Sequence, residues 1–310
     1  MAAVSPTSTP KFSIPVIDVS SFLLDPSSPE AEAVVADLNF FQITGHGVAS
    51  ALQDSVFDAA RAFFSLSDDE KKKYAGTVGR GYEVIGAQAL DPSTKPDIKE
   101  GYFIGRELPN RKPPYRAFEH PNIWPTPVIP VTQFKDPLLD YHGTLTNLAC
   151  NIIALIGRGH PGLTKQILTD FCRDSFATIR LLHYPPHPET NDPETVGAGA
   201  HTDFGAITLL LQDGHSGLQI LRQDTQTWVD VPPTPHAYVV NVGDLLGRWT
   251  SGKYKSTAHR VINRSGMDRS SVPFFFDENL DVVVMDLENE SAPGETVEEH
   301  LLRMYEKVYL

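Results

Sequence analysis

The chain has 310 residues, is 41% apolar and carries a formal net charge of −13. That is enough apolar material for a sizeable core, and the acidic balance argues against nucleic acid, whose binding rests on clustered Lys and Arg. No run approaches the roughly 20 apolar residues that span a bilayer, and Met1 to Pro10 lacks the apolar stretch of a secretory signal.

Residues 1–10 read as a flexible leader of Ser, Thr, Pro and Ala. Ile14 to Val19 is a short apolar strand. A helix is expected over Glu30 to Leu38, then a strand at Phe40-Phe41-Gln-Ile-Thr, closed by Gly45-His46-Gly47. Ala51 to Phe64 places Val56, Ala60, Phe63 and Phe64 at helical spacing. Ser67 with Glu70 three residues on is a capping-box signature, and Lys71-Lys72-Lys73, preceded by three acids, reads as a solvated helix face. Ser93 to Pro125 is rich in Pro and charge and reads as loop, with a short strand near Gly101 to Gly105. Asp136-Pro137 opens the longest helix, Asp as N-cap and Pro at the first helical position. Leu138, Tyr141, Leu145, Leu148, Ile152 and Leu155 carry it to Gly157, and a second helix runs from about Leu163 to Phe171. Cys150 and Cys172 have neither metal-ligand spacing nor a disulfide framework. They read as buried reduced thiols, which fits a cytoplasmic location.

From Phe176 the texture changes to strands. Thr178–Tyr184, Ala206–Leu211, Gly217–Leu221, Thr227–Val231, Ala237–Val242, His259–Ile262 and Val272–Phe276 are short, and turn signals such as Pro185-Pro186, Asp213-Gly214 and Gly243-Asp244 separate them. Many short strands at this spacing argue for a sandwich or barrel. Thr296 with Glu299 caps a final helix through Lys307. The reading is α+β with a mainly β core, flanked by N-terminal and C-terminal helices. A mixed helical region spans 11–175, the core 176–280, and a C-terminal strand and helix 281–310. All of it is expected to form one cooperative unit.

The chemistry concentrates in His201-Thr-Asp203, His259 and Arg269-Ser-Ser271. Side chains two apart on an extended segment point the same way, roughly 7 Å apart at Cα. His201 and Asp203 can therefore converge on one ion, with His259 arriving from another strand. Two imidazoles and one carboxylate on one face of a metal make the facial triad of non-haem Fe(II) oxygenases, which leaves the opposite face open. Arg269 and Ser271 repeat the two-residue spacing. A guanidinium forks onto a carboxylate with two parallel hydrogen bonds, so the constellation reads as a metal plus an anchored carboxylate cosubstrate.

These motifs resemble the plant-and-fungal-type 2-oxoglutarate/Fe(II)-dependent dioxygenases, the isopenicillin N synthase-like family. The resemblance runs from Ile14-Pro-Val-Ile-Asp18 and Gly45-His46-Gly47 through Lys99-Glu100-Gly101-Tyr102 to Gly243-Asp244, Gly252-Lys-Tyr-Lys-Ser256, His259-Arg260-Val261 and the Pro273-Phe-Phe run. It implies a double-stranded β-helix, or jelly roll. It also implies His201, Asp203 and His259 as iron ligands, and Arg269, Ser271 and Tyr184 around the distal carboxylate of 2-oxoglutarate. O2 would be the second cosubstrate and ascorbate a candidate reductant. Plant members often carry Asn two residues before this Tyr; here the position is Leu182.

The implied reaction is hydroxylation, desaturation or ring closure of a small, largely apolar or aromatic molecule, with release of succinate and CO2. Tyr82, Phe103, Phe204, Trp249 and Phe276 are candidates for the substrate wall, with half of them at most expected to touch substrate, since pockets and cores share such side chains. Arg106 is expected to pair with Glu107 or Glu100, and Asp244 to form a turn. Neither nucleic acid nor membrane is an expected partner, and the oligomeric state is not written in the sequence. Two alternatives stay open: an oxidase of the same fold that uses no 2-oxoglutarate, and a non-catalytic ligand-binding jelly roll.

Overall fold

The structure, a computed structural model, describes residues 13–26, 39–188, 192, 194–284, 287 and 294–309. The expected leader and the helix expected over Glu30 to Leu38 lie outside the described residues. Strand β1 (Val16–Asp18) is followed by helix α1 (Ser20–Leu24) and strand β2 (Phe40–Thr44), which runs parallel to β1. Helices α2 (Ser50–Phe64) and α3 (Asp68–Lys72) come next, then strands β3 (Gly81–Glu83) and β4 (Glu100–Gly105). Ser67 caps α3 by accepting the Glu70 N–H at 3.3 Å, as the capping-box spacing predicts. Lys71 departs from the expected solvated face. It is buried and ion-paired with Glu100 at 2.7 Å, because α3 turns this side chain toward β4.

Helix α4 (Lys135–Gly157) starts one residue before Asp136. A 3-10 turn at Val131–Gln133 runs straight into it and makes Phe134 the N-cap. Asp136 and Pro137 still fall in the first turn, where a carboxylate suits the helix dipole and a missing N–H costs nothing. Helix α5 (Lys165–Arg173) is capped by the Thr164 hydroxyl. Cys150 and Cys172, on these two helices, are free thiols and half-buried rather than buried. Arg106 pairs with Asp174 at 3.6 Å, not with a neighbouring glutamate.

The second half supplies β5 (Phe176–Tyr184), β6 (Ala198–His201), β7 (Ile207–Gln212), β8 (Leu218–Arg222), β9 (Thr227–Asp230) and β10 (Tyr238–Val242). Helix α6 (Asp244–Trp249), absent from the sequence reading, precedes β11 (His259–Val261) and β12 (Arg269–Asp277). A small pair, β13 (Val283–Val284) and β14 (Glu295–Thr296), leads into helix α7 (Val297–Val308). The Thr296–Glu299 capping box forms as its sequence predicts.

The strands build an eight-stranded sheet, β1-β2-β10-β7-β12-β5-β4-β3, and a four-stranded sheet, β6-β11-β8-β9. Alternation along each strand sorts side chains to two faces. On β5, Ala177, Ile179 and Leu181 join the apolar core shared with Val56 and Phe63 of α2 and Leu138 and Leu145 of α4. On the other face, Leu182 and Tyr184 pack with Ala198, Leu218, Ile220 and Val261 of the small sheet. Helices therefore cover one face of the large sheet and the small sheet covers the other, which is the jelly roll with helical flanks. Among the described residues no helix is long and apolar enough to cross a membrane.

Candidate active site

His201 and His259 are direct cross-strand partners on β6 and β11, and their rings lie 4.3 Å apart between centroids. Asp203 arrives differently from the extended geometry expected of it, because β6 ends at His201. The loop after it is clasped by the start of α6. The Asp244 N–H donates to the Asp203 carbonyl at 2.8 Å, Leu245 to Gly205 at 3.0 Å and Gly243 to Ala206 at 2.8 Å. This close approach requires glycine at 243, where a Cβ would stand 2.2 Å from the Gly205 carbonyl oxygen. Asp244 is thus more than a turn-former: its carboxylate accepts from Thr202 at 3.0 Å and also holds Ser256, fixing the residue between the two candidate ligands.

The Nε2 atoms of His201 and His259 stand 3.9 and 3.7 Å from Asp203 Oδ1, and one donor atom from each residue lies within 4.8 Å of the others. The far ring nitrogens are engaged: His201 Nδ1 with the Gly199 carbonyl at 2.7 Å, His259 Nδ1 with that of Thr257 at 3.0 Å. Each imidazole donates through Nδ1 to these carbonyls, which leaves Nε2 bare and the ring orientation fixed. Asp203 Oδ2 accepts from Thr208 Oγ1 at 2.6 Å and Asn241 Nδ2 at 2.7 Å, so Oδ1 faces the imidazoles. Thr208 and Asn241 are themselves cross-strand partners on β7 and β10.

Burial, then the neighbouring His259, pushes His201 down to about 3. Burial opposes the charge on Asp203, but the two imidazoles and the Asn241 and Thr208 hydrogen bonds hold its carboxyl below its ordinary value. A neutral imidazole and an ionised carboxylate are the protonation states that a metal ligand needs. This donor set, with its second nitrogens and second oxygen already occupied, fits a divalent iron that keeps open positions.

A cavity with about 560 Å³ of atom-free space joins this cluster to Tyr184, Arg269 and Ser271. Arg269 is 0% exposed. Nη2 donates to Gln212 at 3.0 Å and Nε to the His215 carbonyl at 3.3 Å, while Nη1 is buried without a hydrogen-bond partner. No carboxylate among the described residues pairs with it. Tyr184 is its cross-strand partner, and the guanidinium sits 5.0 Å from the centre of that ring. Burial lowers the Arg269 pKa and raises that of Tyr184. A buried cation with an idle donor is matched to a carboxylate ligand.

A second cavity, with about 620 Å³ of atom-free space, opens on the other side of His201 and Asp203. Phe103 and Phe204 line it, with Leu301 and Tyr305 contributed by α7. Tyr82, Trp249 and Phe276 line neither cavity. Tyr82 is buried in the core and donates to Glu100 at 2.6 Å. Trp249 stacks on Phe171 at 5.6 Å. Phe276 is wholly buried on the helix side of β12, because it is out of step with Arg269 and Ser271. Its neighbours Phe275 and Asp277 occupy the cavity face instead. Sequence reasoning also passed over Asn241, Thr208 and Arg180. Arg180 borders both cavities, held by Glu83 at 2.6 Å and Gln88 at 2.8 Å.

Residues 175–278 match the profile of the 2OG-Fe(II) oxygenase superfamily, and residues 14–127 that of the N-terminal region of non-haem dioxygenases in morphine synthesis. The chain is 40% identical to 2-oxoglutarate-dependent dioxygenase citB of Monascus ruber, over 96% of either chain. Among solved structures it is similar to full-length Neurospora crassa T7H in complex with alpha-KG, with a TM-score of 0.81, 28% identity and 96% and 97% of the two chains covered. The T7H complex with alpha-KG and thymine gives a TM-score of 0.82 at 28% identity, covering 97% and 99%.

Proposed function

This chain belongs to the 2OG-Fe(II) oxygenase superfamily and is a 2-oxoglutarate- and Fe(II)-dependent dioxygenase, and on that premise we propose that it oxidises a small, ring-bearing organic molecule held in the aromatic cavity. The reaction is hydroxylation, desaturation or ring closure, according to which C–H bond faces the metal. One observation carries the reading: donor atoms of His201, Asp203 and His259 lie within 4.8 Å of one another, between a cavity that reaches a buried guanidinium with one unused N–H group and a cavity walled by rings.

His201, Asp203 and His259 would hold the iron, and Arg269, with Ser271 and Tyr184, the distal carboxylate of 2-oxoglutarate. Bound there, the metal supplies the O2 chemistry that splits 2-oxoglutarate into succinate and CO2 and oxidises the substrate. The chain contributes geometry and exclusion of water. The Gly199 and Thr257 carbonyls keep both imidazoles in one tautomer. Asn241 and Thr208 keep Asp203 ionised and aimed. Arg269 fixes the cosubstrate from its far end, and the rings of the second cavity exclude water around the reacting bond. No protein general base is required. Ascorbate would serve as reductant for enzyme oxidised without substrate.

The thymine complex of T7H supports a small ring as substrate. The net charge of −13 supports a free small molecule in the cytoplasm over nucleic acid. The chain should fold as one cooperative unit, since β1 to β4 complete the same sheet as β5, β7, β10 and β12. Anaerobic titration with Fe(II) and then 2-oxoglutarate tests the site. A weak visible charge-transfer band that appears with the keto acid, followed by succinate on admission of air, is the expected result. Iron binding with no band would refute chelation of the keto acid at this cluster.

A further inference from the structure

The substrate cavity has six aromatic rings in its wall, Phe103, Phe118, Phe176, Phe204, Phe275 and Tyr305, and such side chains favour offset or edge-on contact with another ring. Apolar cavities of this kind orient their ligands with a few placed polar groups. Thr202 and Gln88 are occupied, Thr202 by Asp244 at 3.0 Å and Gln88 by Arg180 at 2.8 Å. Arg180 is neutralised by Glu83 at 2.6 Å. Its Nε is buried without a hydrogen-bond partner, and two further groups in the wall are underused. Thr178 Oγ1 is buried with no hydrogen-bond partner. Asp277 is 1% exposed; Oδ1 accepts the Ala206 N–H at 2.6 Å, and no cation among the described residues pairs with the carboxylate.

Strand register brings these two groups together. Thr178 lies opposite Phe275, and Asp277 opposite Phe176. Thr178 and Asp277 are therefore diagonal neighbours on one face, ~7–8 Å apart, within reach of a single ligand substituent. The chain makes room for the acid: a Cβ on Gly205 would stand 2.3 and 2.5 Å from the two Asp277 oxygens. Burial, with Asp203 nearby, pushes the Asp277 carboxyl up to about 7 despite the Ala206 hydrogen bond. A buried acid without a counter-ion is costly, and its bond to Ala206 occupies only one oxygen.

We propose that Asp277 and Thr178 form the polar anchor of the substrate cavity, and that the ring it selects carries a hydroxyl group. The hydroxyl donates to Asp277 Oδ2 and accepts from Thr178 Oγ1. The assignment rests on the reading of this cavity as the substrate site, and it names the substrate class: hydroxylated aromatic rings rather than bare or fully etherified ones.

The test is calorimetric titration of protein loaded anaerobically with Fe(II) and 2-oxoglutarate, using 2,4-dimethylphenol and its methyl ether as a matched pair. Wild type should bind the phenol ~10-fold or more tightly than the ether, since the ether leaves the buried carboxyl without its donor, which costs ~1–3 kcal/mol. Asp277→Asn keeps an oxygen for Ala206 and replaces the other, and Thr178→Val removes the hydroxyl at constant shape. Either should bring the ratio to within about 2-fold. Equal affinities in wild type, no binding of either ring, or a preference that survives both variants overturns the proposal. Should one variant fail to fold, the wild-type ratio and the other variant still decide. Failure of 2-oxoglutarate to bind, read in the preceding titration, would strike instead at the cosubstrate site.

Discussion

Replacing Arg269 by Met separates the cost of a buried charge from its use. The guanidinium is out of contact with water, and its hydrogen bonds go to one amide oxygen and one carbonyl, leaving Nη1 unused. With 2-oxoglutarate bound it would be half of a buried, charge-assisted pair, and truncating one partner of such a pair costs ~2–5 kcal/mol. At ~3 kcal/mol the dissociation constant rises more than ~100-fold. Without ligand the sign reverses, because exchanging an uncompensated buried ion for an apolar side chain of similar volume is neutral or stabilising by ~1–4 kcal/mol. A thermal melt with Mn(II) and 2-oxoglutarate at about 100 times the wild-type dissociation constant reads both effects. Wild type gains ~2.7 kcal/mol from the ligand, and R269M, at a ligand concentration near its own constant, gains only ~0.4 kcal/mol. The ligand-free variant should melt no lower than wild type. A 2-oxoglutarate-induced shift of wild-type size in R269M would refute the assignment of Arg269 to the cosubstrate.

Asn241→Leu removes one of the two donors that orient Asp203, and Co(II) affinity, followed by its visible bands, should fall ~10- to 100-fold; unchanged affinity would leave Asn241 without a role at the metal. Gly243→Ala forces a Cβ against the Gly205 carbonyl, so both melting temperature and Co(II) affinity should drop, by ~1–3 kcal/mol in stability; wild-type values in both would show that the clasp on the metal loop tolerates a side chain. His183 supplies a pH dependence. Burial works against its charged form, yet hydrogen bonds to Glu100 at 2.8 Å and Asp268 at 2.9 Å outweigh it and raise its pKa. Stability from a raised histidine is fully present below the unfolded value near 6.5 and is lost as pH rises through the folded one. His183→Gln should therefore lose most, relative to wild type, at pH 5–6, with the gap narrowing at higher pH in denaturant melts; a constant gap would mean that His183 acts by packing alone.

What the sequence disclosed follows from how local each signal is. The Ser67, Thr296 and Glu299 caps need only three residues and form where their spacing puts them. The two-residue spacings of His201 with Asp203 and of Arg269 with Ser271 are equally local, but the support of Asp203 is not. Asn241 and Thr208 reach its carboxylate only because β10 and β7 pair in one register, and no motif in either strand announces that. Trp249 ends a short helix that periodicity is too brief to reveal, so its stacking on Phe171 was beyond sequence reach. Phe276 is a different case. Counting by twos from Arg269 and Ser271 along one strand gives Pro273, Phe275 and Asp277, and puts Phe276 on the opposite face. The signal that selects Phe275 and rejects Phe276 was in the chain, and only the length of β12 hid it.

That period of two also puts the proposed cosubstrate grip and the proposed substrate anchor on one ladder. On the inner face of the β5–β12 pair, Arg269 stands opposite Tyr184 at one end and Asp277 opposite Phe176 at the other. At ~3.4 Å per residue the two ends are ~27 Å apart along the strand. His201 and Asp203 border both cavities between them. A slip of one residue would turn every one of these side chains into the helical core, so the register is under strong constraint along its whole length. Identity at each position is not. Of the two cavities, residues 176, 178 and 277 line only the aromatic one, whereas Phe275 borders both and would carry a change on one side to the other. Thr178 and Asp277 stand in the aromatic cavity alone, at the end of the ladder away from Arg269, so changes at the proposed substrate anchor should leave 2-oxoglutarate affinity in place.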